Sequence, residues 1–243
     1  MKILINLIIN SILLTAFNAN AIISNAVEPV KYFVNHSLEL EGIKSKLSLY
    51  GKANMVGISG IGKTQISRMY AYTNRNKYNL IWVFDCSTDL DSQYALLASE
   101  INRNTNQEFK LSENVLSAKN SIIKYLISKK DWLLIFDNLK INENHKIDDI
   151  ISLEHNGNII INSQDEKNLN DSINVSYLNN EDTIRLLNIL LKRDVNFKND
   201  ISSIFKGYPI FVANAAMFLN KNKHLTLEEY NRTNYNLNIH KNS

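Results

Sequence analysis

The chain has 243 residues, 44% of them apolar, and a net charge of +3. That length allows one large domain or a medium domain with an appendage, and the apolar content allows a sizeable core. The small net charge gives no reason to expect a nucleic-acid partner or a membrane-surface binder, and the single cysteine, Cys86, excludes an internal disulfide.

The first 21 residues, "MKILINLIINSILLTAFNANA", have the layout of a secretory signal peptide. Lys2 supplies the positive start, an apolar run extends from Ile3 to Phe17, and Ala19-Asn20-Ala21 is a small-x-small cleavage site. Asn6, Asn10 and Ser11 interrupt the run, which falls short of the roughly 20 apolar residues of a membrane span, so no stable membrane anchor is expected. Export or secretion is the expectation. A cytoplasmic protein with a buried or amphipathic N-terminal helix is the alternative.

Residues 22–31 read as a linker. Beyond them, short apolar runs alternate with longer amphipathic ones. Strands are predicted at 54–59, 80–86, 132–136, 158–162 and 173–178, and helices at 63–74, 91–103 and 113–129. The run "LIWVFDC" is continuous rather than alternating, as in a strand covered on both faces. Strands alternating with helices predict a three-layer α/β domain with a parallel sheet over 32–178. The helical pattern from Asn180 onward predicts a small all-helical subdomain over 179–230, followed by a polar tail at 231–243.

"GISGIGKT", Gly57 to Thr64, fits the phosphate-loop pattern G-x-x-x-x-G-K-[ST] between a predicted strand and a predicted helix. Gly57, Gly60 and Gly62 let successive backbone N–H groups turn inward toward phosphate oxygens, and the helix that follows favours an anion at its N-terminus. Lys63 supplies a mobile positive charge for the terminal phosphates, and Thr64 a hydroxyl for Mg²⁺. In "LLIFDN", Asp137 closes a buried strand where a carboxylate can hold that metal. Cys86 reads as a small core residue, and the histidines at 36, 145, 155, 224 and 240 show no metal-ligand spacing.

Taken in order, these stretches resemble the NB-ARC (AP-ATPase) type of STAND P-loop NTPases. "YFVNHSLELEGIKSKL" stands where that family carries hhGRExE, with Asn35, His36 and Ser37 in place of Gly-Arg-Glu and Glu39 as the last acid. "MVGISGIGKTQIS", "LLIFDNL", "NIIINSQDE" and "KGYPIFVANAA" are similar to the family's phosphate loop, acidic strand, sensor strand and GLPLAl motif. The resemblance implies an ATP- or ADP-dependent signalling core with Mg²⁺, an unknown protein partner and possible homo-oligomers. It also implies that the chain stops after the first helical subdomain. By position, Gly57, Gly60, Gly62, Lys63 and Thr64 would cradle phosphates, Thr64 and Asp137 would hold the metal, and Val34 and Pro209 would flank adenine. Two positions depart from the family. Asn138 stands where a second acid activates water, and Gln164 where a sensor arginine stabilises developing charge. An amide takes no proton at neutral pH, and loss of a general base costs about 10²- to 10⁴-fold. The expectation is a nucleotide binder with weak or absent hydrolysis, with Asp165 and Glu166 as neighbouring acids. The alternative is a degenerate pseudo-NTPase acting as an exported protein-interaction module.

Overall fold

The computed structural model describes residues 22–34, 36–105, 110–164, 171–191 and 202–232. The signal-peptide-like stretch, Asn35, Asp165, Glu166 and most of the polar tail lie outside the described residues.

Among the described residues six strands form one parallel sheet: β1 (Ile23–Ser24), β2 (Lys52–Val56), β3 (Leu80–Asp85), β4 (Lys130–Leu139), β5 (Asn156–Ser163) and β6 (Ile173–Asn174). They lie side by side in the order β1-β3-β4-β5-β2-β6. Helices α1 (Ser37–Tyr50), α2 (Lys63–Thr73), α3 (Leu90–Asn104), α4 (Val115–Ser128) and the short α5 (Asp148–Ile151) make the connections that parallel pairing requires. This is the three-layer α/β fold expected.

The layers account for the unbroken apolar runs. On β4, Leu133 and Ile135 enter one core with Ile43 and Leu47 of α1 and Ile66 and Tyr70 of α2. Their neighbours Leu134 and Phe136 enter the opposite core with Tyr94, Leu97 and Ile101 of α3 and Ile122 and Leu126 of α4. Successive strand residues point to opposite faces, and both faces are covered, so no position can be polar without cost. Cys86 lies in the second of these cores and is buried.

Three local features differ from the reading of the sequence. The segment read as a linker begins with β1, where Ile23 is buried and the Asn25 side chain bonds both the N–H and the C=O of Val83. A 14-residue helix, α1, occupies 37–50. It ends at Gly51 (φ 65°), whose N–H donates to Leu47 O, and the chain enters β2 two residues earlier than predicted. The last predicted strand is cut to two residues because the backbone turns away so that Leu178 N can donate to Gly207 O.

The helical part comprises α6 (Asn180–Leu191), the short α7 (Ser202–Phe205), α8 (Pro209–Lys221) and a turn of helix at 227–232. Its core, with Leu187, Phe205, Val212, Ala215 and Leu219, also takes in Val34 from the chain before α1. Gly207 (φ 69°) makes the sharp step into α8. A side chain there would lie 2.7 Å from Leu178 O, so the join between the two parts requires glycine.

Candidate phosphate and metal site

The carboxyl ends of β2, β3, β4 and β5 converge on one edge of the sheet, where the loop from Gly57 to Gly62 carries β2 into α2. Gly60 and Gly62 have φ of 78° and 116°, a region closed to most side chains. Gly62 caps α2, and its carbonyl accepts the first helical bonds from Gln65 and Ile66. The amides of Lys63 and Thr64 therefore have no acceptor within the helix and face the loop's hollow. Ile61 is fully buried beneath the loop and anchors it to the core.

Lys63 is 8% exposed, and its ammonium donates to Gly57 O and Ile58 O within the loop. Burial pushes that ammonium below its usual value, while the Asp137 carboxylate pulls the other way. An anion in the hollow would relieve the desolvation and give the charge a partner.

Asp137, 7% exposed, is held from three sides. Thr64 Oγ1 lies 2.8 Å from its Oδ2 and 3.1 Å from its Oδ1, although the two residues are 73 positions apart in sequence. Asn162 Nδ2 donates to Oδ1 at 2.9 Å, and the Asn138 N–H donates to Oδ1 at 3.2 Å. Behind Asn162, the Ser67 hydroxyl donates to its Oδ1 at 2.9 Å. The reason for this chain of bonds lies in the strand order. β5 separates the phosphate-loop strand from the Asp137 strand, so the polar residue on β5 at this level must bridge the two. Both Asn162 and Ser67 are essentially inaccessible. Asn162 belongs to no motif, though a polar residue closing the buried run "NIIIN" is itself a signal.

Thr64 and Asp137 are a hydroxyl and a carboxylate at hydrogen-bonding distance, the donor pair that Mg²⁺ takes in phosphate sites. Among the described residues no group of three or more His, Cys, Asp or Glu could hold a metal. Thr64 and Asp137 would hold Mg²⁺ here together with phosphate oxygens and water.

Asn138 sits in the left-handed region (φ 61°), which asparagine tolerates better than most residues. The β4–β5 register shifts at this point, and the Asn138 side chain turns to donate to Asp85 Oδ1 at 3.1 Å. The Ser87 hydroxyl and, more weakly, the Asn138 amide hold the Asp85 carboxyl below its ordinary range, against some opposing desolvation.

A cavity of about 340 Å³ opens beside the loop, within the range of small-ligand sites. Gly60, Gly62, Lys63, Thr64, Asn138 and Gln164 line one side, and Val34, Leu186, Leu190, Pro209 and Ile210 the other. Val34 and Pro209 thus share one cavity with the phosphate loop, whereas Gly57 and Asp137 are not among its lining residues. Pro209 occupies the first turn of α8, where its missing N–H costs nothing. Ile210 presses so closely on the loop that a methyl group on Gly60 would lie 2.7 Å from its Cγ2. His36, also in the wall, aims Nε2 at the loop, 3.8 Å from where a side chain on Gly62 would begin. Buried Glu39 backs it, 3.5 Å from Nδ1.

The sequence matches no family model and no curated protein. Solved structures share its fold. The Walker-type ATPase of Pyrococcus abyssi is 14% identical, with a TM-score of 0.53 over 79% of this chain and 69% of that one. AMPPCP-bound DnaA from Aquifex aeolicus is also 14% identical, with a TM-score of 0.53 over 84% and 68%. Cdc6p from Pyrobaculum aerophilum is 11% identical, with a TM-score of 0.50 over 82% and 65%. Identities this low speak to architecture alone. The chain has the P-loop NTPase fold, a parallel α/β sheet joined to a small helical part.

Proposed function

We propose that this chain binds ATP or ADP with Mg²⁺ and works as a STAND/NB-ARC-like signalling core with slow hydrolysis. One observation carries the reading: Thr64, at the foot of the phosphate loop, bonds the Asp137 carboxylate from two strands away, beside a cavity walled by Val34 and Pro209. The loop offers amides and an ammonium for phosphates. The Thr64–Asp137 pair offers oxygens for the metal, and the apolar wall offers a surface for a base. Asn138 and Gln164, both at the cavity, bring no acid and no cation, which supports binding over turnover.

Calorimetry tests the reading. It calls for Mg·ADP and Mg·ATP to bind, for guanine nucleotides to bind more weakly, and for phosphate release to be slow. Equal affinity for ATP and GTP would remove the adenine assignment, and no binding would remove the whole.

A second reading, an exported pseudo-NTPase serving as an interaction module, rests on the signal-peptide-like N-terminus. ATP is scarce outside cells, so export would leave the site without its ligand unless delivery is into another cytoplasm. N-terminal sequencing of the mature protein discriminates. A chain beginning near residue 22 supports export, and an intact Met1 in the cytosolic fraction opposes it. Among the described residues no helix is long and apolar enough to cross a membrane.

A further inference from the structure

Two side chains able to carry positive charge, Lys63 and His36, line the cavity beside the phosphate loop, and among the described residues no acid lines it. His36 is buried. It stands at the N-cap position of α1, yet its side chain makes no capping bond there. Its ring faces two other ways. Nδ1 lies 3.5 Å from the Glu39 carboxylate, and Nε2 points toward Gly62 of the phosphate loop. The Phe33 ring packs beside it, 5.5 Å between centroids. Glu39 is buried as well, and its Oε1 accepts from the Ser176 N–H at 3.3 Å. A carboxylate buried this far needs a partner for its charge, and the imidazole is the ionisable group placed to supply it.

We infer that His36 is a phosphate-binding residue of this site, donating from Nε2 to a phosphate oxygen of the bound nucleotide while Glu39 holds Nδ1. The inference rests on the nucleotide reading above. With Nδ1–H turned to Glu39, a neutral ring presents a lone pair at Nε2, which repels a phosphate oxygen. A protonated ring donates at both nitrogens and so joins an anion in the hollow to the carboxylate behind. A ligand that binds the protonated form better draws a proton onto the ring, and by reciprocity a lower pH tightens the ligand.

The charges around the ring fit this role. Glu39, on the same helix, favours the imidazolium. Lys63, which shares the cavity, opposes a second positive charge until an anion lies between the two. Tyr32 is the remaining titratable side chain in the wall. Glu181, Asp182 and Arg185 of α6 border a second, open hollow that His36 also lines, two acids against one cation, and solvent there screens them. Histidine side chains change charge between about pH 5 and pH 8, so nucleotide affinity is expected to rise as pH falls through that range.

The test measures the Mg·ADP affinity of the whole chain by calorimetry at about pH 6 and about pH 8, for the wild type and for His36→Gln. Glutamine keeps a polar side chain but takes no proton. The ionisation of ADP itself is common to both chains and cancels in their ratio. The wild type is expected to bind about tenfold more tightly than the variant at the lower pH and within about twofold of it at the higher. A ratio that is the same at both pH values overturns the inference whatever its size, because lost packing does not titrate. Glu39→Gln gives an independent reading, which decides the matter where His36→Gln does not fold. It keeps an acceptor for the Ser176 N–H and removes the charge behind the ring. The affinity gained between the higher and the lower pH is expected to shrink by about threefold or more, and an undiminished gain overturns the part given to Glu39. A wild type that binds no Mg·ADP at either pH removes the nucleotide reading too, whereas a constant ratio leaves that reading standing.

Discussion

Asn162→Ala is the perturbation that best separates a working metal site from a chance pairing of loop and acid. In the folded chain Asn162 holds two bonds, donating to Asp137 Oδ1 on the neighbouring strand and accepting from Ser67 on α2. Both partners are buried, so water cannot step in without rearrangement. The bond to a carboxylate is charge-assisted, worth about 1.5–3 kcal/mol, and an orphaned buried hydroxyl costs about 1–3 kcal/mol. The variant should therefore lose about 3–5 kcal/mol of stability, most of the margin of many domains. Urea unfolding followed by circular dichroism reads this directly. Adding Ser67→Ala to the variant removes the orphan and should recover about 1 kcal/mol or more, so the two changes are non-additive. Mg²⁺ titrations at fixed ADP should show weaker metal dependence, because Asp137 keeps only Thr64 and the Asn138 amide. An Asn162→Ala chain with wild-type stability and additive behaviour with Ser67→Ala would refute the bridging role.

Other outcomes follow from the same geometry. Asp137→Ala should leave Mg²⁺-independent ADP binding in place while abolishing the affinity gained on adding Mg²⁺, measured by calorimetry with and without chelator. Gly60→Ala places a methyl group against Ile210 and forces an L residue to φ 78°; nucleotide affinity should fall, and Ile210→Ala in the same chain should restore part of it. Cys86 is buried, and desolvation first, then the Asp137 and Asp85 charges, push its thiol up from 9.0 to about 12. Because the folded value is raised, this group's contribution is complete below pH 9 and is lost as pH rises from about 9 toward 12. A thiol reagent at pH 8 should therefore leave Cys86 unlabelled until denaturant is added, and prompt labelling of native protein would contradict its burial.

Much of the site is legible in the sequence because its parts follow fixed local spacings. The glycines of the phosphate loop, Lys63 and Thr64 belong to one turn, and Asp137 closes an unmistakable buried strand. Val34 and Pro209, far apart in sequence and linked there only by the family resemblance, line the same cavity. Asn162 carries no motif of its own because its role exists only across strands. Which residues share a level of the sheet depends on strand order and register, and neither leaves a periodic mark in the chain. β1 escaped notice because two residues cannot show an alternation, and its pairing depends on the Asn25 side chain. α1 is hard to see as a helix in the sequence because its buried stripe, Glu39, Ile43 and Leu47, begins with a charged residue whose burial only the local contact with His36 and the long-range bond from Ser176 explain.

The central claim is that the hollow between the phosphate loop and α8 takes a nucleotide's phosphates on Lys63. Calorimetry of Mg·ADP with the wild type and with Lys63→Ala tests it most directly. The account predicts saturable one-to-one binding by the wild type and a loss of about 10- to 100-fold in the variant, the worth of one charge-assisted contact. Binding that Lys63→Ala leaves untouched, or a wild type that takes up no nucleotide, would contradict it.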